Sequence, residues 1–150
     1  MTKRSVVHDT FRLERRYRVS PTKVFAAWAS LEAKSQWFKG PAMEILENSL
    51  DFREGGKEIA KGRHPNGMVS SFEANYYDIV PNERIVYSYY MHIDDRKISA
   101  SLATIELVEV SGGTLLTMTE QGAFLDGYDD AGSRERGTAK LLDALGSSLA

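Results

Sequence analysis

Phe11-Arg-Leu-Glu-Arg-Arg-Tyr-Arg-Val-Ser-Pro-Thr-Lys-Val-Phe-Ala-Ala-Trp28 is the stretch that decides the fold. Its first half alternates. Phe11, Leu13, Arg15, Tyr17 and Val19 share one face, and Arg12, Glu14, Arg16 and Arg18 share the other, which predicts a half-buried strand. Ser20 then offers an N-cap and Pro21 a first helical position, with Val24, Phe25 and Trp28 following at helical spacing. Ser30 is placed to cap a second short helix that sets Leu31 against Lys34 and brings in Trp37. The chain therefore opens with one strand and two short helices.

Downstream, turn signals at Gly55-Gly56, Pro65-Asn66-Gly67, Pro81-Asn82, Asp94-Asp95 and Gly112-Gly113 divide the sequence into six strands. Their expected cores are Met43 to Asn48, Lys57 to Arg63, Ser71 to Val80, Arg84 to Ile93, Ile98 to Val110 and Thr114 to Gln121. The short hairpins demand antiparallel neighbours, giving a seven-stranded sheet. From Asp129-Asp130 a last helix begins, with Leu141, Leu142, Leu145 and Leu149 as its apolar stripe. The order predicts an α+β fold in which a curved seven-stranded antiparallel sheet wraps a long C-terminal helix. Gly132 and Gly137 in that helix either fray it or leave room for a ligand.

The chain has 150 residues, 42% hydrophobic and 27% charged, the profile of one globular domain spanning residues 1–150. Its 19 Lys and Arg nearly balance 21 Asp and Glu, so a basic nucleic-acid binder is disfavoured. Without cysteine there are no disulfides, thiol nucleophiles or Cys-ligated metals, which fits a reducing compartment. The longest apolar run, Val24 to Ala29, is far too short to insert into a membrane, and the start Met1-Thr-Lys-Arg has no signal-peptide core. A cytoplasmic location is expected. His8, His64 and His92 form no ligand pattern, so no metal or other cofactor is expected, and phosphate-binding and nucleophile-elbow motifs are lacking.

The candidate binding residues come from strand parity. Arg15 lies on the face of Leu13 and Tyr17, where a charge must be paired or meet a ligand. Glu120 shares a face with Leu116 and Met118, and an Arg15–Glu120 pair is expected between neighbouring first and last strands. Ile85, Tyr87, Tyr89, Met91 and Ile93 make one large face, joined by Phe72 and Tyr76. Tyr17, Tyr76, Tyr87 and Tyr89 are candidate cavity hydroxyls, with Ser99 and Ser101 leaving space opposite them. Trp28 and Trp37 pin the short helices, Trp37 also lining the cavity, and Leu141 faces it from the last helix. Asp51, Arg53 and Gly55-Gly56 read as a structural turn. Arg12, Arg16 and Arg18 beside Lys3-Arg4 read as a solvated face, and Asp126, Asp129 and Asp130 as loop acids near the mouth.

Five segments in order, Val24-Phe-Ala-Ala-Trp28, Gln36-Trp-Phe-Lys-Gly-Pro41, Asp51-Phe-Arg-Glu-Gly-Gly56, Pro81-Asn-Glu-Arg-Ile-Val-Tyr87 and Gly113-Thr-Leu-Leu-Thr-Met-Thr-Glu120, carry a family resemblance. The chain resembles the START-like, or SRPBCC, superfamily. Within it, it is similar to the branch of homologues of the activator of the ninety-kilodalton heat-shock chaperone ATPase. The resemblance implies a helix-grip fold with a deep cavity between sheet and C-terminal helix, and it matches an Arg at position 15. Where that branch commonly has Gly-Trp in the last helix, this sequence has Gly137-Thr138, which implies a larger or differently shaped cavity.

The leading expectation is a domain that holds a small apolar, aromatic or lipid-like molecule through Arg15, Tyr17, Trp37, Tyr76, Tyr87, Tyr89, Ser101, Met118, Glu120 and Leu141. An enzyme of cyclase, dehydratase or isomerase type in the same cavity is the alternative, with Glu120 or a loop Asp moving a proton. A chaperone partner engaging an outer surface is a third reading. A homodimer through an exposed strand edge is compatible with each.

Overall fold

The computed structural model describes residues 4–40 and 42–150; Lys3 of the basic cluster and Pro41 of the second family segment lie outside them. The chain runs through β1 (Val6–Tyr17), α1 (Pro21–Ala29), α2 (Leu31–Lys34), β2 (Glu44–Leu50), β3 (Lys57–Arg63), β4 (Val69–Val80), β5 (Arg84–Ile93), β6 (Arg96–Val110), β7 (Gly113–Leu125) and α3 (Ala131–Ser148). All seven strands form one antiparallel sheet in the order β1-β7-β6-β5-β4-β3-β2. This is the α+β helix-grip arrangement expected from the sequence.

Capping residues start each helix. Ser20 accepts from the Lys23 amide, Ser30 from that of Ala33, and Asp130 from that of Ser133 at 2.8 Å. The strand cores lie where alternation put them; β2, β4 and β6 run two residues further at one end, and two edges run further still. β1 begins at Val6 and β7 continues to Leu125, because the two pair residue for residue from Val6↔Leu125 to Tyr17↔Thr114. Val6 and Val7 are exposed, so side-chain alternation carried no sign of that extension.

Register shifts between Ile45 and Glu47, Tyr76 and Asp78, and Met91 and His92 add an unpaired residue to one strand of each pair and bend the sheet. The concave face faces α3. Leu142 and Leu145 are buried there, and the Tyr17 hydroxyl donates to the Leu142 carbonyl at 2.7 Å, tying β1 to the helix. Gly146 permits this approach, since a Cβ there would stand 3.0 Å from the Tyr17 ring. At Gly56 a Cβ would meet the Asp51 carbonyl oxygen at 2.0 Å, so the Asp51–Gly56 turn tolerates only glycine, consistent with its structural reading.

Candidate functional site

Between the concave face and α3 lies a cavity of about 560 Å³. Large side chains of β4 and β5 build its floor because small residues stand beside them. Ala74 opposes Tyr89, and on β6 Ala103 and Ser101 oppose Tyr87 and Tyr89. Phe72 packs between Phe38 at 4.9 Å and Tyr89 at 4.7 Å, and Trp28 meets Trp37 edge to face at 4.7 Å. The Trp37 indole donates to the Ala27 carbonyl at 3.0 Å, which ties the segment after α2 to α1. Met43, Met68, Met91 and Met118 also line the space, a deformable and polarizable wall. Lys39 and Gly137 line it yet are exposed, so the cavity opens to solvent beside the start of α3.

Its polar end is one connected cluster. Glu120 on β7 is wholly buried, and both its oxygens accept from the Tyr89 hydroxyl at 2.8 Å. Arg134 on α3 donates through Nη1 to Tyr89 Oη at 2.9 Å and stands 3.6 Å from Glu120 Oε2. Through Nη2 it donates to Ser99 Oγ at 2.7 Å and Asp129 Oδ2 at 2.8 Å. Burial pushes the Glu120 carboxyl above the usual carboxylate range, and the Arg134 charge and the Tyr89 hydrogen bond pull back without cancelling that. Burial likewise raises the Tyr89 phenol.

A second buried cluster lies behind the aromatic wall. Lys34 Nζ donates to Glu58 Oε1 at 2.6 Å, and Tyr76 Oη donates to the same oxygen at 2.6 Å. The ammonium also sits 4.3 Å from the centre of the Phe38 ring. Burial lowers the Lys34 pKa against the attraction of Glu58. This cluster fastens α2 to β3 and β4 and does not line the cavity.

Of the ten candidate binding residues, Trp37, Tyr87, Tyr89, Met118, Glu120 and Leu141 line the cavity. Tyr17, Tyr76 and Ser101 are buried beside it, their positions taken up by the bond to Leu142, the bond to Glu58 and the packing on β6. Arg15 is a correction. The expected Arg15–Glu120 pair does not form, because the register places Arg15 opposite Leu116 and Glu120 opposite Phe11, four residues or about 13 Å apart along the strand. Arg15 instead donates to Asp143 at 2.8 Å near the protein surface. The loop acids divide: Asp126 accepts from the Ser5 amide, Asp130 caps α3, and Asp129 holds Arg134 at the cavity.

Arg134, Lys34 and Glu58 were not among the candidates. Arg134 precedes Thr138, Leu141, Leu142 and Leu145 at spacings of four, seven, eight and eleven, so it continues their helical stripe. Glu58 alternates with Ala60 and Gly62 against Lys57, Ile59, Lys61 and Arg63, a lone acid on a small-residue face.

Residues 18–150 match the model of the family described as Activator of Hsp90 ATPase homolog 1-like protein. Among solved structures, the chain is similar to a putative uncharacterized protein from Rhizobium leguminosarum, at 43% identity over 99% of this chain and 98% of that one, with a TM-score of 0.94. It is also similar to the Mll3558 protein from Rhizobium loti, at 46% identity over 96% and 99% of the two chains, with a TM-score of 0.88. Protein CV1439 from Chromobacterium violaceum shares 25% identity over 93% and 96%, with a TM-score of 0.78. Comparison with curated proteins finds no match.

Proposed function

We propose that this chain, which belongs to the Activator of Hsp90 ATPase homolog 1-like family of START-like proteins, acts as a single domain over residues 1–150 that binds a small apolar or aromatic molecule. The observation that carries the reading is the cavity itself: apolar walls of aromatic and methionine side chains end on a buried cluster of Tyr89, Glu120 and Arg134. Ligand sites combine an extensive apolar lining with a few fixed polar groups in this way. Native mass spectrometry beside the denatured mass, followed by a melting screen of aromatic and lipid-like compounds, tests it. The expected result is a co-purified adduct or a melting shift that Thr138→Trp, which takes up part of the cavity, diminishes. A screen with no adduct and no shift overturns the reading.

One observation favours a second reading, in which the same cavity is catalytic. Glu120 holds its proton more tightly than an ordinary carboxyl and lies against a phenol and a guanidinium, an arrangement suited to moving a proton beside a developing enolate. Loss of turnover in Glu120→Gln with ligand binding retained would support it, whereas unchanged ligand consumption by that variant would end it. Stimulation of an Hsp90 ATPase, undiminished by Thr138→Trp, would instead move the function to an outer surface.

A further inference from the structure

The polar end of the cavity carries more negative than positive charge. From β5 comes the neutral phenol of Tyr89, from β6 the hydroxyl of Ser99, from β7 the Glu120 carboxylate, from the loop before α3 the Asp129 carboxylate, and from α3 the Arg134 guanidinium. A single cation is thus held between two acids. Its Nη2 donates to Asp129 and Ser99, and its Nη1 donates to the phenol that is itself committed to Glu120. Three of its five N–H groups are engaged in this way, both of those on Nη2 among them, and Nη1 also stands 3.6 Å from Glu120, so the Nη1–Nη2 fork is not free to take an incoming carboxylate. The Glu120 oxygens share the single proton of the Tyr89 hydroxyl, so Arg134 is the one charge that offsets Glu120 and Asp129 together. The remaining charged groups do not reverse the balance. Lys39 is exposed at the rim, where water and salt screen it, and His64 pairs through Nε2 with Ser70 Oγ at 2.9 Å.

We infer that the cavity selects an electrically neutral, hydroxyl-bearing aromatic or aliphatic molecule and discriminates against the matching carboxylate. The hydroxyl donates toward Asp129, the acid of this cluster that an entering molecule can reach. A carboxylate in the same place would lie among two acids whose one counter-ion is taken, at the cost of its own hydration. The inference rests on the proposed binding function and narrows it to a ligand class.

The test uses the full chain and the neutral fluorescent probe N-phenyl-1-naphthylamine, displaced at pH 7.5 by 2-naphthol or 2-naphthoate and, separately, by 1-decanol or decanoate. Each alcohol is expected to displace the probe at a concentration at least about tenfold below that of its acid, the scale of one like charge a few ångströms away at intermediate dielectric. Glu120→Gln is expected to narrow the gap by improving the acids, and Asp129→Asn, a partly exposed position that leaves the buried carboxylate in place, to do the same by freeing Arg134. Acids that bind as well as alcohols, or a gap that neither variant moves, overturn the inference while leaving the binding function standing. No binding of the probe or of any competitor overturns both.

Discussion

Arg134, not Arg15, meets Glu120: Nη1 of Arg134 lies 3.6 Å from Oε2, and the Tyr89 hydroxyl links the two side chains. Glu120 is wholly buried and the Arg134 side chain is 11% exposed, so removal of the cation leaves an acid that water does not reach. Arg134→Met is expected to cost about 3 kcal/mol in urea denaturation at pH 7.5, the scale for breaking a buried pair. The folded Glu120 pKa is already raised, so its contribution to stability is complete below the unfolded value and declines as pH rises through the folded one. The deficit of Arg134→Met should therefore shrink toward pH 5, where the stranded carboxyl takes up a proton. By contrast, Arg15→Ala breaks a contact to an acid that is 67% exposed and is expected to cost less than about 1 kcal/mol with ligand shifts unchanged.

Lys34 and Glu58 form the other buried pair, at 2% and 1% side-chain exposure. Lys34→Met alone is expected to destabilise by about 3–5 kcal/mol, because it orphans the Glu58 charge. The double variant Lys34→Met with Glu58→Leu removes both charges and should recover most of that loss. A double-mutant cycle in urea measures the coupling; costs that simply add would show that the two charges do not depend on each other.

At Gly137 an added Cβ meets nothing within 4 Å, and the residue lies inside an 18-residue helix. Gly137→Ala is accordingly expected to stabilise by up to about 1 kcal/mol through helix propensity, read as a higher denaturation midpoint with unchanged slope. Thr138→Trp acts on the next position, which is buried against the cavity. Its indole should occupy part of the 560 Å³ and weaken probe binding without loss of the folded baseline.

Alkaline conditions should unfold the protein in one steep step. Burial raises the phenols of Tyr17, Tyr76, Tyr87 and Tyr89 above the ordinary value of 10.0. A raised folded pKa means that the folded chain keeps protons the unfolded chain releases, so this stability is full below about pH 10 and is lost above it. Lys34, whose pKa is lowered, has the opposite sign and gains as pH rises toward its unfolded value of 10.5, but it is one group against four. Tyrosinate absorbance from the four should therefore appear together with loss of circular dichroism. Ionisation of all four ahead of unfolding would contradict their burial.

The sheet was legible in the sequence because each strand carries its own period-2 record: Phe11 to Tyr17 and Ile85 to Tyr89 alternate without interruption, and the hairpin turns are short. The helix starts were legible for a similar local reason, a Ser or Asp whose side chain reaches an amide three residues on. The partner of Glu120 was not, because it depends on relative register across β1 and β7 and on the rotation of α3, neither of which leaves a mark within one segment. Parity correctly sent Arg15 inward from its strand. Its position near the surface end of β1 let the guanidinium reach Asp143 and water instead of the cavity. Lys34 escaped for the opposite reason: on a four-residue helix there is too little periodicity to tell a buried lysine from a solvated one.

Of the five methionines in the sequence, four line the cavity and the fifth, Met1, lies outside the described residues. The side-chain methyls of Met43, Met68, Met91 and Met118 come from the α2–β2 connection, the β3–β4 turn, β5 and β7, and so surround the space from separate elements. Isotopic labelling of methionine methyls alone thus places four spectroscopic reporters around one site, and a molecule entering it would be seen from several directions at once.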